Sequence, residues 1–293
     1  MKRILVIGSI SIDNVTYTSV LPEPGTTVYG ESFLSNIGGK GANQACAIHF
    51  LNGDVEFYGA VGKDENGERV KKFLKSVGLQ ANLKISEQNT GVASITIETQ
   101  NAENRIVIVP GSNMDITKED IDKIDFSKFD YLLLQLENPI DSIVYAMKKA
   151  KAYGLTVILN PAPYHEVPDT AFPFIDFFIP NEHELEYFTP TVSGSFKTRA
   201  EHLIKQGVKR IIVTLGEKGS LYVDKETSFE VPPYKVKAVD TTGAGDSYCG
   251  AFVTALAEGL EVKAAMKFAS KVSSIAVTRK GAIASLPHRD ELN

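Results

Sequence analysis

The sequence predicts an α/β fold: a mostly parallel sheet with helices on both faces, and beside it a smaller all-β segment. Two observations carry this. Short apolar runs of strand character alternate along most of the chain with longer segments whose apolar residues recur at helical spacing. Parallel strands joined by crossover helices are buried on both faces and read as such runs. Two stretches break the alternation, because strand-like segments there are not separated by a helix.

Along the chain, Ile4-Leu5-Val6-Ile7 is the first strand. Residues 15–33 are extended in character and interrupted by Pro22-Glu23-Pro24-Gly25. Gly38-Gly39-Lys40-Gly41-Ala42-Asn43-Gln44-Ala45 then opens a helix that carries Cys46, Ala47, Ile48, Phe50 and Leu51 and breaks at Asn52-Gly53. The lysines and acids of residues 63–75 mark a solvated helix face.

Residues 91–99 and 105–109 are strands joined by the turn-like Gln100-Asn101-Ala102-Glu103-Asn104. In the first of them Ala93, Ile95 and Ile97 alternate with Ser94, Thr96 and Glu98, so one face needs cover. Pattern alone fits a hairpin annexed to the main sheet as well as a separate cover over a site.

Strand-then-helix units follow. Residues 131–136 are a buried strand. Asn138 can cap and Pro139 can open a helix with Ile140, Ile143, Val144 and Met147 on one face, stopped by Gly154. Residues 155–159, 174–179 and 210–214 are the next strands. The alternating segment 234–239 is a further strand, and after it Cys249, Phe252, Val253, Leu256 and Leu260 trace one helix face, with Gly259 near its end.

Composition agrees with a soluble enzyme. The chain has 293 residues, enough for one large or two small domains, with 43% hydrophobic and 23% charged residues. A net charge of -5 gives no reason to expect a nucleic-acid partner. No apolar run reaches membrane-span length, and the opening residues show no signal peptide, so the expected location is the cytoplasm. Cys46 and Cys249 sit among apolar neighbours and read as buried free thiols. His183-Glu184 lacks the second His that a zinc motif requires.

The chemistry concentrates in Asp240-Thr241-Thr242-Gly243-Ala244-Gly245-Asp246, at a junction leading into a helix. Helix N-termini offer unpaired N–H groups and a partial positive charge, and glycine lets a phosphate approach the backbone. A carboxylate beside such an anion site fits the task of taking a proton from a hydroxyl that attacks the phosphate. The residue pattern therefore points to phosphoryl transfer. The second glycine-rich element, residues 38–45, is not a Walker A loop, since Gly41 follows Lys40 where Ser or Thr should hold magnesium. Gly8-Ser9-Ile10-Ser11-Ile12-Asp13 lacks the later glycines of a dinucleotide fingerprint.

Together the two glycine elements resemble the N- and C-terminal signatures of the ribokinase-like, phosphofructokinase-B type of sugar kinase. The resemblance extends in order through Gln135-Leu136-Glu137-Asn138-Pro139, Leu159-Asn160-Pro161-Ala162-Pro163, Pro180-Asn181-Glu182-His183-Glu184, Thr214-Leu215-Gly216-Glu217-Lys218-Gly219 and Ala276-Val277-Thr278-Arg279-Lys280-Gly281-Ala282. It implies the ribokinase-like fold, with residues 1–12, 37–90 and 112–293 forming the α/β domain and 13–36 and 91–111 a β lid over the sugar. It further implies ATP with Mg2+, K+ or another monovalent cation as activator, a sugar acceptor (ribose foremost), and a homodimer formed through the lid.

The resemblance also implies residue roles. Asp246 is the expected base, with Gly243, Ala244 and Gly245 donating backbone N–H groups to the transferred phosphoryl. Ser11, Asp13, Gly39, Lys40, Gly41, Asn43 and Glu137 match the sugar-binding positions. Asn181 and Glu184 match an Asn-x-x-Glu element that places magnesium and phosphates, and Thr214, Gly216, Gly219 and Ser270 match nucleotide contacts. Asp240, Thr242, Ala276, Arg279, Gly281 and Ser285 match a monovalent-cation site. One departure stands out: Ser11-Ile12-Asp13 occupies the place of an Asn-x-Asp. The shorter hydroxyl loses a contact to one sugar hydroxyl or passes it to water.

Overall fold

The computed structural model describes residues 1–100 and 103–292, so Asn101 and Ala102 of the expected 100–104 turn lie outside the described residues. The strands are β1 Ile4–Ile7, β2 Ser11–Thr18, β3 Gly30–Gly38, β4 Val55–Gly62, β5 Gln80–Ser86, β6 Gly91–Glu98, β7 Asn104–Val109, β8 Tyr131–Leu134, β9 Thr156–Leu159, β10 Phe177–Phe178, β11 Ile211–Thr214, β12 Ser220–Val223 and β13 Ser228–Val231. The α-helices are α1 Lys40–Phe50, α2 Glu65–Val77, α3 Lys118–Asp122, α4 Ile140–Ala152, α5 Glu182–Phe188, α6 Phe196–Lys205, α7 Ala244–Ala257 and α8 Val262–Ala276.

The large sheet runs β13-β12-β11-β10-β9-β8-β1-β4-β5. It is parallel from β11 to β5, and β12 and β13 add an antiparallel edge. β1 is central and buried throughout, because side chains alternate across a strand and both faces here are covered. Ile4 and Val6 pack into the core shared with α1, α2, α7 and α8, whereas Leu5 and Ile7 join the core of α3, α4, α5 and α6. Cys46 and Cys249 are buried free thiols within the first of these cores.

A second sheet, in the order β3-β2-β6-β7, is the all-β segment. β2 and β6 are parallel, while β2–β3 and β6–β7 are antiparallel. Register places Asp13 beside Ala93 and Val15 beside Ile95, with Ala93 opposite Ile108 and Ile95 opposite Ile106. These residues therefore share one face.

Several local expectations change. Residues 234–239 form no strand and are largely exposed; among the described residues their backbone is pinned only at Val239, whose N–H meets the Val277 carbonyl at 2.7 Å. Their alternation marks a face, but these residues pair with no strand among the described residues. Leu260 lies past the end of α7, beyond the positive-φ Gly259. Pro139, not Asn138, is the N-cap of α4, because the Asn138 amide donates instead to the Asn113 carbonyl at 2.9 Å. Of residues 174–179 only Phe177 and Phe178 are strand, and Phe174 ends a 3-10 turn.

Candidate active site

Two helix starts meet at the carboxyl end of the central strands. Gly39, at φ 90, caps α1. A Cβ there would come within 2.7 Å of the Ile10 backbone, and one at Gly41 would come within 2.5 Å of the Gly8 backbone. One at Gly38 would overlap the Asp13 carboxylate. These glycines let the first turn of α1 press onto the loop between β1 and β2. Its N–H groups are consumed within the protein: Lys40 N donates to Glu137 Oε2 at 3.0 Å, Gly41 N to Ser9 Oγ at 3.3 Å and Ala42 N to the Ser9 carbonyl at 2.9 Å. Ser9 Oγ also donates to Glu137 Oε2.

The start of α7 is built otherwise. Gly243 caps it in the left-handed region at φ 75, and Ala282 packs behind it. Ala244 N donates to the Thr241 carbonyl at 3.2 Å, while the N–H groups of Gly243, Gly245 and Asp246 meet no partner among the described residues. A Cβ on Gly245 would touch nothing within 4 Å. So α7 presents unpaired donors to open space, the condition for receiving an anion.

Asp246 lies in the first turn of α7 and is only 6% exposed. Its Oδ2 accepts from Asn43 Nδ2 at 2.8 Å and its Oδ1 from Gln44 Nε2 at 2.9 Å. The carboxylate thus ties α7 to α1. It borders a cavity of about 530 Å³ together with Ser11, Asp13, Gly39, Lys40, Asn43, Glu137, Thr242 and Gly243. Ala93, Ile95, Ile106 and Ile108 of the small sheet form an apolar wall of the same cavity. The site residues expected near the sugar are therefore together, except Gly41, which is spent on packing.

Charge is dense here. Burial pushes the Asp13 carboxyl up, and the nearby Glu137 and Asp246 add to this against the Ser11 hydroxyl bond and Lys40. Burial pulls the Lys40 ammonium down, but Asp246, Glu137 and Glu184 outweigh it and hold its pKa above the ordinary lysine value. Burial also raises Glu184, with Asp246 adding to it, against an Asn181 N–H bond and Lys40. Glu184 is thereby within electrostatic reach of Asp246 although far from it in sequence.

The remaining expected residues lie on neighbouring loops. Asn181 and Glu184 form a reciprocal capping box on α5, with Asn181 Oδ1 accepting from Glu184 N at 2.8 Å and Glu184 Oε2 from Asn181 N at 2.9 Å. Asn181 bridges to Thr214 at the end of β11, and Gly216 and Gly219 turn the chain there at φ 54 and 94. Ser270 is buried on α8. Asp240 Oδ1 accepts from Thr242 N at 2.9 Å and Oδ2 from Gly281 N at 2.8 Å, joining the loop before α7 to the 276–285 segment. Burial would raise its pKa, but these bonds keep it below the ordinary carboxylate value. Ala276 directs its carbonyl to Arg279 N, the Arg279 side chain pairs with Glu291, and Ser285 Oγ bonds the Ala282 carbonyl.

Sequence reasoning assigned no role to Ser9, Gln44, Gln135 or Asn160. They stand inside or beside the quoted motifs, but only the fold shows that Ser9 bonds Glu137 and that Gln135 and Asn160 bond Gln44, which in turn bonds Asp246.

The pfkB family carbohydrate kinase model matches residues 1–289. The chain belongs to that family. It is a phosphotransferase with an alcohol acceptor, an ATP-dependent sugar kinase. It is 37% identical to a deoxyribokinase of Salmonella typhi over 99% of this chain and 97% of the relative. To a ribokinase of Lactococcus lactis it is also 37% identical, over 100% and 96% respectively. The structure resembles that of ribokinase from Thermotoga maritima with a TM-score of 0.93 at 34% identity, covering 100% of this chain and 98% of that one. The kinase thus has the ribokinase-like fold over its whole length.

Proposed function

We propose that the kinase transfers the γ-phosphoryl group of ATP to the 5-hydroxyl of D-ribose, with Asp246 as general base. The observation that carries this is the position of the Asp246 carboxylate, between the unpaired N–H groups of α7 and a cavity edged by Asp13, Lys40, Asn43 and Glu137. The sugar hydroxyl gives its proton to Asp246 as its oxygen attacks the γ-phosphorus, and ADP leaves in line. The N–H groups of Gly243 and Gly245 face the charge on the transferred phosphoryl, where fixed donors are most effective. Because Ala244 N is already turned to Thr241, its share in this is secondary.

Magnesium suits the oxygen donors on this side of the site, since Mg2+ takes carboxylates and phosphate oxygens. Asn181 and Glu184 would hold it through its waters, and the ion would neutralise phosphate charge. Thr214, Gly216, Gly219 and Ser270 would receive the nucleotide. Asp240, Thr242, Ala276, Arg279, Gly281 and Ser285 would hold K+, largely through backbone carbonyls. The link between Asp240 and Gly281 supports this, because it sets the loop that leads to Gly243.

Residues 13–36 and 91–111 would act as the lid, and its exposed Phe33 and Val107 would meet a second copy of the chain, giving a cytoplasmic homodimer. Val107 pairs with Ser94, on the face turned away from the cavity, and so is free for such a contact.

Deoxyribose is the second reading. Ser11 Oγ donates its only proton to Asp13 Oδ1 at 2.7 Å, leaving the sugar one donor fewer, and a deoxyribokinase is as similar to this chain as a ribokinase. Steady-state rates with ATP and a panel of ribose, 2-deoxyribose, hexoses and nucleosides decide. Ribose should have the highest specificity constant. Ser11→Asn should lower its KM about 2- to 10-fold with little change in kcat, the size of one hydrogen bond in uniform binding. A wide margin for another acceptor would overturn ribose while leaving the kinase intact.

A further inference from the structure

The amide of Gln44 is the centre of a buried network whose direction is set from outside the site. Asn160 Nδ2 donates to the Ile179 carbonyl at 2.9 Å, which turns Asn160 Oδ1 toward Gln44. Gln44 Nε2 donates to that oxygen at 3.0 Å and to Asp246 Oδ1 at 2.9 Å. Gln44 Oε1 accepts from Gln135 Nε2 at 2.6 Å. Gln44, Gln135 and Asn160 are all below 9% exposed.

This polarity leaves Gln44 one orientation. An amide has two N–H donors on one side and a carbonyl on the other. Flipped, Gln44 would set its carbonyl against Asp246 Oδ1 and Asn160 Oδ1 and, with Gln135 as it stands, its NH2 against the Gln135 NH2; since Gln135 Oε1 meets no partner among the described residues, the contacts to Asp246 and Asn160 are the ones that forbid the flip. Each of those contacts is repulsive, and each buried group would lose its partner. A backbone carbonyl at the end of β10 thus dictates, through two side-chain amides, that a donor faces the base.

We propose that Gln44 is a positioning residue for Asp246, oriented by Asn160 and Gln135, and that it holds the carboxylate so that a lone pair faces the acceptor hydroxyl. Asn43 secures Oδ2 but also edges the cavity, so it is exposed to displacement by the sugar. Gln44 does not line the cavity. Its effect passes through Asp246 alone. The inference rests on the reading of Asp246 as base.

The test is steady-state kinetics of Gln44→Met in the full-length kinase, alone and combined with Asp246→Asn. Methionine keeps the length and burial of the side chain but offers no donor. In the wild-type background kcat should fall about 10- to 100-fold, the scale of a hydrogen bond to a charged group, with KM for the sugar within about twofold. In the Asp246→Asn background the same change should lower kcat little further. Gln135→Met, which leaves the contact to Asp246 but removes its orienting donor, should give a smaller fall in kcat with KM again unmoved.

Equal losses from Gln44→Met in both backgrounds, a rise in KM matching the fall in kcat, or unchanged kcat would each overturn the positioning role. If Gln44→Met does not fold, the Gln135→Met and Asp246→Asn pair makes the same comparison. Near-normal turnover of Asp246→Asn alone would instead overturn the base reading, so the two failures are distinct.

Discussion

The two glycine-rich helix starts look alike in sequence and do opposite work in the structure. At α1 the glycines are filled against by protein: Gly39 meets Ile10, Gly41 meets Gly8, and the first-turn N–H groups bond Ser9 and Glu137. At α7, Gly245 has empty space where a Cβ would be, and the N–H groups of Gly243, Gly245 and Asp246 meet no partner among the described residues. One element spends glycine on close backbone packing. The other leaves open space beside donors that the protein does not use. A glycine motif at a helix N-terminus therefore says that something comes close, and only tertiary packing says whether it is the protein or its substrate.

The sharpest way to break this comparison is Asp246→Asn, at the open start. Turnover should fall about 10²- to 10⁴-fold, the usual worth of a general base, with the fold and sugar binding retained. Single-turnover kinetics and sugar titration would show it, and near-normal chemistry would end the assignment.

Next comes Gly39→Ala, at the packed start. A left-handed φ and a Cβ within 2.7 Å of backbone should cost about 2–4 kcal/mol of stability. Urea unfolding measures this. A loss under about 0.5 kcal/mol, the range of a neutral surface change, would mean the two loops are not distinct.

Gly245→Ala should do the reverse. Stability should hold or rise by up to about 1 kcal/mol, since Ala favours a helix, while kcat/KM for ATP falls about 10- to 100-fold as the methyl enters ligand space. If activity holds while stability drops, the contrast fails.

The smallest expected effect is that of potassium, which should raise kcat several-fold by ordering the loop from Asp240 to Asp246. Equal rates with potassium and with a bulky organic cation at matched ionic strength would remove that role.

Much of this was readable in the chain. The central strand 4–7, the helix opened by residues 38–45 and the helix after the Asp240-to-Asp246 element follow from local periodicity, which reflects which faces must be buried, whereas a β segment standing apart from the main sheet was implied only by the family resemblance. Asp246 stood out because its chemistry and its helix-start position are both local facts. The strand expected at 234–239 did not form, because alternation describes a face and not whether a partner strand exists to hydrogen-bond it.

The α/β class, the two helix starts and the family signatures are legible along the chain, since each rests on short stretches of neighbouring residues in a fixed order. Tertiary structure alone decided which glycine loop is closed and which is open. It also decided that Glu184, Lys40 and Glu137 share a field with Asp246, and that Gln135, Asn160 and Ile179 aim Gln44 at that carboxylate. The physical reason is that steric contact, electrostatic coupling and hydrogen-bond polarity act over a few ångströms of space, and the residues concerned are separated by up to about 200 positions of chain, as Gln44 and Asp246 are.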